Sequence, residues 1–221
     1  MQLSLEQGRY LVGLARKAIK EYLEILPSMI SNLSAQQCIV DKGKSEKELF
    51  PELSTPKGVF CTLNKYPSKE LCGCIGLPYP DKPLKEAVLL VSIDSAQDPR
   101  FPPLTREELA TVTIELSILA KPELIVVQKP EEYLEKIEEG NDGLILRYKE
   151  ASSGTLISQA VFLRQVWGKL PTKEMFLSQL CYKANLWSPN AWRYPDVELL
   201  KFRAQIFEEK EPEGEIKEKL L

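Results

Sequence analysis

Gly58-Val59-Phe60-Cys61-Thr62-Leu63, Lys65-Tyr66-Pro67-Ser68-Lys69 and Glu70-Leu71-Cys72-Gly73-Cys74-Ile75 decide how this 221-residue chain is built. The outer stretches are rich in β-formers, and the middle one carries turn residues. Together they predict a β-hairpin with a loop of about five residues. Side chains alternate along a strand, so Cys72 and Cys74 are expected on one face of the returning strand. Gly73 and Gly76 bracket Cys74, and glycine admits close backbone approach or a positive φ.

Outward from the hairpin, Thr111 to Leu119 alternates strictly. Val112, Ile114, Leu116 and Ile118 fall on one face and Thr111, Thr113, Glu115 and Ser117 on the other, which predicts a half-buried strand. A second hairpin is expected from Leu144 to Tyr148, through Ser152-Ser153-Gly154, and back along Thr155 to Leu163. Helical spacing predicts helices over Leu3 to Leu26, Pro83 to Ser95, Pro130 to Ile137 and Lys173 to Ala184. Asp98-Pro99-Arg100-Phe101-Pro102-Pro103 reads as a rigid loop, since each proline fixes φ. Thr105 to Glu108 has a capping-box pattern. Ser28 to Pro56 reads as a variable polar connection, Leu199 to Phe207 as one late strand, and Glu208 to Leu221 as a charged, extended tail. Hairpins interleaved with helices predict an α+β fold, a mostly antiparallel sheet with flanking helices.

Composition narrows the chemistry. There is no histidine, which removes the commonest general base and metal ligand and excludes Ser-His-Asp and Cys-His nucleophile arrangements. The net charge is −3, so general nucleic-acid binding, which needs a basic face, is not expected. No apolar run approaches the roughly 20 residues that span a bilayer. The five cysteines, Cys38, Cys61, Cys72, Cys74 and Cys181, are odd in number and irregularly spaced. That pattern is unlike a secreted disulfide framework and predicts a cytoplasmic protein with reduced thiols.

The candidate site residues each have two readings. Cys74 is either an exposed thiol beside glycine amides or a small buried residue in a tight hairpin. Asp98 and Arg100 form either a fork for an anion or carboxylate or an internal ion pair that ties the loop down. Glu115 is either a general base or an exposed strand glutamate. Asn64 reads as turn chemistry at the hairpin end. Cys61, Cys72 and Cys74 put three thiols near one hairpin, but without histidine or an evident fourth ligand no metal and no cofactor is expected.

In order along the chain come Gly58 to Asn64, Gly73-Cys74-Ile75-Gly76, Ser95-Ala96-Gln97-Asp98-Pro99-Arg100-Phe101-Pro102-Pro103, Glu115-Leu116-Ser117, Asp142-Gly143-Leu144 and Cys181-Tyr182-Lys183-Ala184. In these motifs the chain resembles the AMMECR-one domain family over most of its length. The resemblance implies one domain over 1–221, with a larger subdomain containing both termini and a smaller inserted one, around a cleft. It implies Memo-type or radical SAM proteins as partners and supplies no reaction. On it, Cys74 and Glu115 are candidate catalytic groups, and Gly73, Gly76, Asp98, Arg100 and Asn64 candidate binding groups. The expectation is an enzyme, or enzyme component, for a small anionic or nucleotide-like substrate. The alternative is a non-catalytic module that docks a protein partner. Two positions depart from the family pattern. Cys72 stands where the family has arginine, and Arg164 where it has proline, so that Arg164 restores the missing charge if the two regions meet.

Overall fold

The computed structural model describes residues 2–28, 36–40 and 50–219. The chain divides into two compact units. One runs to Leu119 and resumes at Gln205; the other is Ala120–Ala204.

The first unit is a five-stranded sheet with helices. Its strands are β1 (Val59–Lys65), β2 (Leu71–Leu77), β3 (Val112–Leu119), β8 (Ala204–Glu209) and β9 (Ile216–Glu218), in the order β2-β1-β3-β8-β9. Its helices are α1 (Leu5–Ile25), α2 (36–40), α3 (Leu84–Ala96) and the short α4 (Arg106–Leu109). β1 pairs antiparallel with both β2 and β3. Helix α1 starts at a capping box in which Ser4 and Gln7 satisfy each other's backbone amides, as the first-turn N–H groups require. Leu11, Ala15, Ala18, Ile19 and Tyr22 bury its inner stripe. Gly8 lies where Phe207 of β8 packs; a Cβ there would meet the ring at 2.1 Å.

The second unit is a four-stranded sheet of β4 (Glu123–Leu124), β5 (Gly143–Lys149), β6 (Leu156–Phe162) and β7 (Val197–Phe202), in the order β4-β7-β5-β6. All three of its pairings are antiparallel. Helices α5 (Glu132–Lys136) and α6 (Lys173–Lys183) complete it. Leu144, Leu146, Ala160, Phe176, Leu180, Trp192 and Leu199 form its core. Trp167 stacks on Phe176 at 3.9 Å and donates its indole N–H to the Asp142 carbonyl at 2.8 Å. The fold is therefore α+β with two antiparallel sheets.

Three expectations need correction. The apolar run Leu199 to Phe207 is two strands in two different sheets, β7 and β8, with the break at Arg203. The terminal segment is not simply an extended tail: Glu209 is buried against Arg16, and Ile216–Glu218 pairs with β8. The polar face of β3 is covered rather than solvated, with Glu115 and Ser117 only 6% and 0% exposed. The connection Ser28 to Pro56 falls largely outside the described residues; within it 36–40 are helical and Pro51–Ser54 form a 3-10 turn.

Candidate functional site

Among the described residues β2 is an edge strand, so alternate backbone groups along it have no strand to pair with there. Side chains from the loop behind α3 take its place at Cys74. The Cys74 N–H donates to Asp98 Oδ2 at 2.8 Å, and Arg100 Nη2 donates to the Cys74 carbonyl at 2.7 Å. Arg100 grips the same carboxylate through Nε to Oδ1 at 2.9 Å and Nη2 to Oδ2 at 2.6 Å. One residue on, where the backbone turns towards β1, the Ile75 N–H donates to Ser95 Oγ at 3.0 Å, and that hydroxyl donates to the carbonyl of Cys61, the cross-strand partner of Ile75, at 2.9 Å. The Asp98 side chain is wholly buried and that of Arg100 is 52% exposed. The Arg100 backbone N–H adds a fourth bond, to Oδ1 at 3.1 Å; a buried carboxylate with four hydrogen bonds is well satisfied, and the planar fork of arginine fits it. Asp98 and Arg100 form the internal ion pair that ties the loop down, and the same pair holds the backbone of Cys74.

Gly73 and Gly76 serve sterics. A Cβ on Gly73 would meet the Ser95 carbonyl oxygen at 2.1 Å, so only glycine lets α3 approach this closely. A Cβ on Gly76 would meet the Phe60 ring at 2.2 Å; Phe60 is its direct cross-strand partner. Neither glycine has a positive φ.

The thiols separate. The β1–β2 register shifts after Leu63, leaving Cys72 with no residue opposite. Cys72 packs against the first unit's core and donates its S–H to the Leu63 carbonyl at 3.3 Å; burial pushes its pKa up. Cys72 is an extra residue in β2, so the strict alternation on which the expected sharing of one face by Cys72 and Cys74 rests is interrupted between them. Cys61 is fully buried, and burial pushes its thiol up to about 12. Cys74 is half-buried, with Thr62 Oγ1 at 3.5 Å from its sulfur. Among the described residues no group of three or more His, Cys, Asp or Glu side chains could hold a metal ion.

Cys74, Thr62 and Glu115 lie in one cross-strand row over β2, β1 and β3. Two strand spacings separate the backbones of Glu115 and Cys74 by roughly 9–10 Å in the sheet. Glu115 pairs with Lys219 Nζ at 2.9 Å, and Lys219 also meets Glu208 at 3.2 Å. Asn64 stands at the register shift, opposite Leu71; its carbonyl accepts from Thr113 Oγ1 at 3.4 Å. Arg164 belongs to the second unit; in the first unit Arg100 donates to the Cys74 carbonyl. Sequence reasoning passed over Ser95 and Thr62. The first was visible only as part of a loop motif, and the second only once strand register was known.

The clamp has a pH signature. Burial pushes the Asp98 carboxyl up, but hydrogen bonds from Arg100 and from the Cys74 N–H outweigh it and hold the group below the usual carboxylate value. A folded-state pKa below the unfolded value of about 3.9 stabilises the fold above that pH, and the contribution is lost as pH falls through the lower folded value. Asp98→Asn is expected to be less stable than the parent at neutral pH. The gap should narrow on acidification below about pH 4. Urea midpoints measured across that range check this, and a gap that stays constant refutes it.

A clamped cysteine on the edge of an α+β sheet, with a second inserted unit, defines a class for which the comparisons give a family. The family model described as AMMECR1 matches residues 12–207, and the chain belongs to that family. Protein MK0488 of Methanopyrus kandleri is 44% identical over all of this chain and 97% of its own length. Protein MJ0810 of Methanocaldococcus jannaschii is 43% identical, over 99% of this chain and 98% of its own. The crystal structure of uncharacterized protein PH0010 from Pyrococcus horikoshii matches with a TM-score of 0.82 at 41% identity, covering 98% of each chain. No helix among the described residues is long and apolar enough to cross a membrane.

Proposed function

We propose that the protein is an enzyme, or the substrate-holding component of one, whose working group is the Cys74 thiol and whose ligand is small and anionic. The observation that carries this reading is the clamp. A buried carboxylate, an arginine and a rigid proline loop converge on the backbone of one half-exposed cysteine. Holding a peptide from both sides fixes the direction of its side chain, which is what a reacting thiol requires. Arg100 fits an anion through the exposed part of its guanidinium, and a guanidinium next to a thiol favours the thiolate. Glu115 has no catalytic role in this reading. The five free cysteines fit a reducing, cytoplasmic setting.

The test is alkylation of each cysteine, followed by mass spectrometry against pH. Cys74 is expected to label fastest, with a midpoint clearly below the free-thiol value of about 8.5. Arg100→Ala should move that midpoint upward. Labelling of Cys74 only on unfolding would end the proposal. The second reading, a docking module for a Memo-type or radical SAM protein, draws on Trp187. Its side chain in the second unit is 92% exposed, as aromatic anchors of interfaces are.

A further inference from the structure

The two sheets have four edges, and three of them are guarded. β2 is capped at Cys74 by Asp98 and Arg100. β9 is three residues long and carries Lys217 and Glu218. β4 is two residues long. Short strands, charges and side-chain caps are the usual ways to stop an edge from recruiting another strand.

The fourth edge, β6, is different. Leu156-Ile157-Ser158-Gln159-Ala160-Val161-Phe162 runs seven residues without a charge, a proline or a glycine. Leu156 is 46% and Ile157 56% exposed. In the sheet order β6 has β5 on one side and, among the described residues, no strand on the other. Its edge is touched at Val161, whose carbonyl accepts from Lys183 Nζ at 2.8 Å. A carbonyl has a second lone pair and accepts another donor.

We infer that β6 is a pairing edge, and that its occupant is the β6 strand of a second copy of this chain. The uncharged strand offers a charged segment nothing to pair with, whereas it complements itself. Antiparallel pairing about a two-fold axis at Gln159 sets Ile157 opposite Val161 and Leu156 opposite Phe162. Apolar and β-branched cross-strand pairs of this kind are favourable, and no like charges meet. Such an isologous contact closes on itself as a dimer and joins two four-stranded sheets into one, by strand addition.

The experiment is sedimentation velocity on the full chain across the micromolar range, with the Ile157→Lys variant alongside. The parent is expected to dimerise. The variant should dissociate at least about tenfold more readily while keeping the parent's circular dichroism and, at dilutions where both are monomeric, its melting midpoint, since Ile157 is exposed. Amide hydrogen exchange on the unaltered protein gives a second readout: exchange at residues 157–161 should slow as concentration rises. A parent that stays monomeric throughout overturns the inference. So does a dimer that tolerates Ile157→Lys and shows no concentration-dependent protection in β6, because its interface then lies elsewhere.

Discussion

Arg16→Ala is expected to lower the unfolding free energy by about 3–5 kcal/mol. Arg16 lies on α1, and its side chain is 11% exposed; that of Glu209 on β8 is 3% exposed. The guanidinium meets the carboxylate through Nε to Oε1 at 2.6 Å and Nη2 to Oε2 at 2.5 Å. It also donates to the carbonyls of Leu109 at 3.0 Å and Val112 at 2.8 Å. Alanine would take the guanidinium from a buried carboxylate that keeps the Ile114 N–H, at 2.9 Å, as a donor. It would also strip a donor from each of two carbonyls. The loss comes from orphaned groups rather than from the worth of the pair. Replacing both partners together, as Arg16→Met with Glu209→Leu, should therefore be much milder than either single change. Urea midpoints at constant slope measure all three variants. A loss below about 1 kcal/mol for Arg16→Ala, the range of exposed pairs, would show that the pair is not buried in solution.

Gly73→Ala is expected to cost about 3 kcal/mol, at the upper end for overpacking. The obstacle is backbone on both sides: the new methyl would sit 2.1 Å from the Ser95 carbonyl oxygen, and no rotamer change relieves it. Either α3 lifts away or β2 bends. Each movement separates the Ser95 hydroxyl from the Ile75 N–H and draws Asp98, a few residues on, away from the Cys74 N–H. Stability and thiol behaviour should thus change together, with Cys74 labelling in Gly73→Ala losing the pH midpoint of the parent. Gly13 is the control, since a Cβ there meets nothing within 4 Å. Gly13→Ala should be neutral or stabilising, by up to about 1 kcal/mol, as expected for a helix interior. Equal melting midpoints for the two variants would refute the steric argument.

Much of the fold could be read from pattern. The hairpin of β1 and β2, the alternation of β3, the hairpin of β5 and β6 and helices α1, α3 and α6 follow from periodicity and turn chemistry. Periodicity says which residues share a face; it does not say what covers that face. Glu115 and Ser117 therefore looked solvated and are buried. Nor does it mark where a run of strand formers changes sheets. Nothing in Phe202-Arg203-Ala204 is a breaker, yet β7 ends there and β8 begins. The register shift at Leu63 is hidden for the same reason: alternation assumes no extra residue, and Cys72 is one. At the site, the motif residues Cys74, Asp98 and Arg100 were found because they cluster in two short segments. Their hydrogen bonds depend on β2 being an edge, and an edge is a property of the whole sheet.

The chain enters the second unit at Ala120 and leaves it at Ala204, and the Ala120 N–H donates to the carbonyl of Arg203, one residue before the exit, at 2.8 Å. β3 and β8, the strands on either side of that point, are neighbours in the first sheet. The arrangement is that of guest and host. The host's sheet is interrupted only where a hairpin turn would otherwise stand, so the guest can lengthen, shrink or be exchanged in the course of descent without moving a strand of its host. The cysteine clamp, with all of its residues in the host, would be inherited intact through any such exchange.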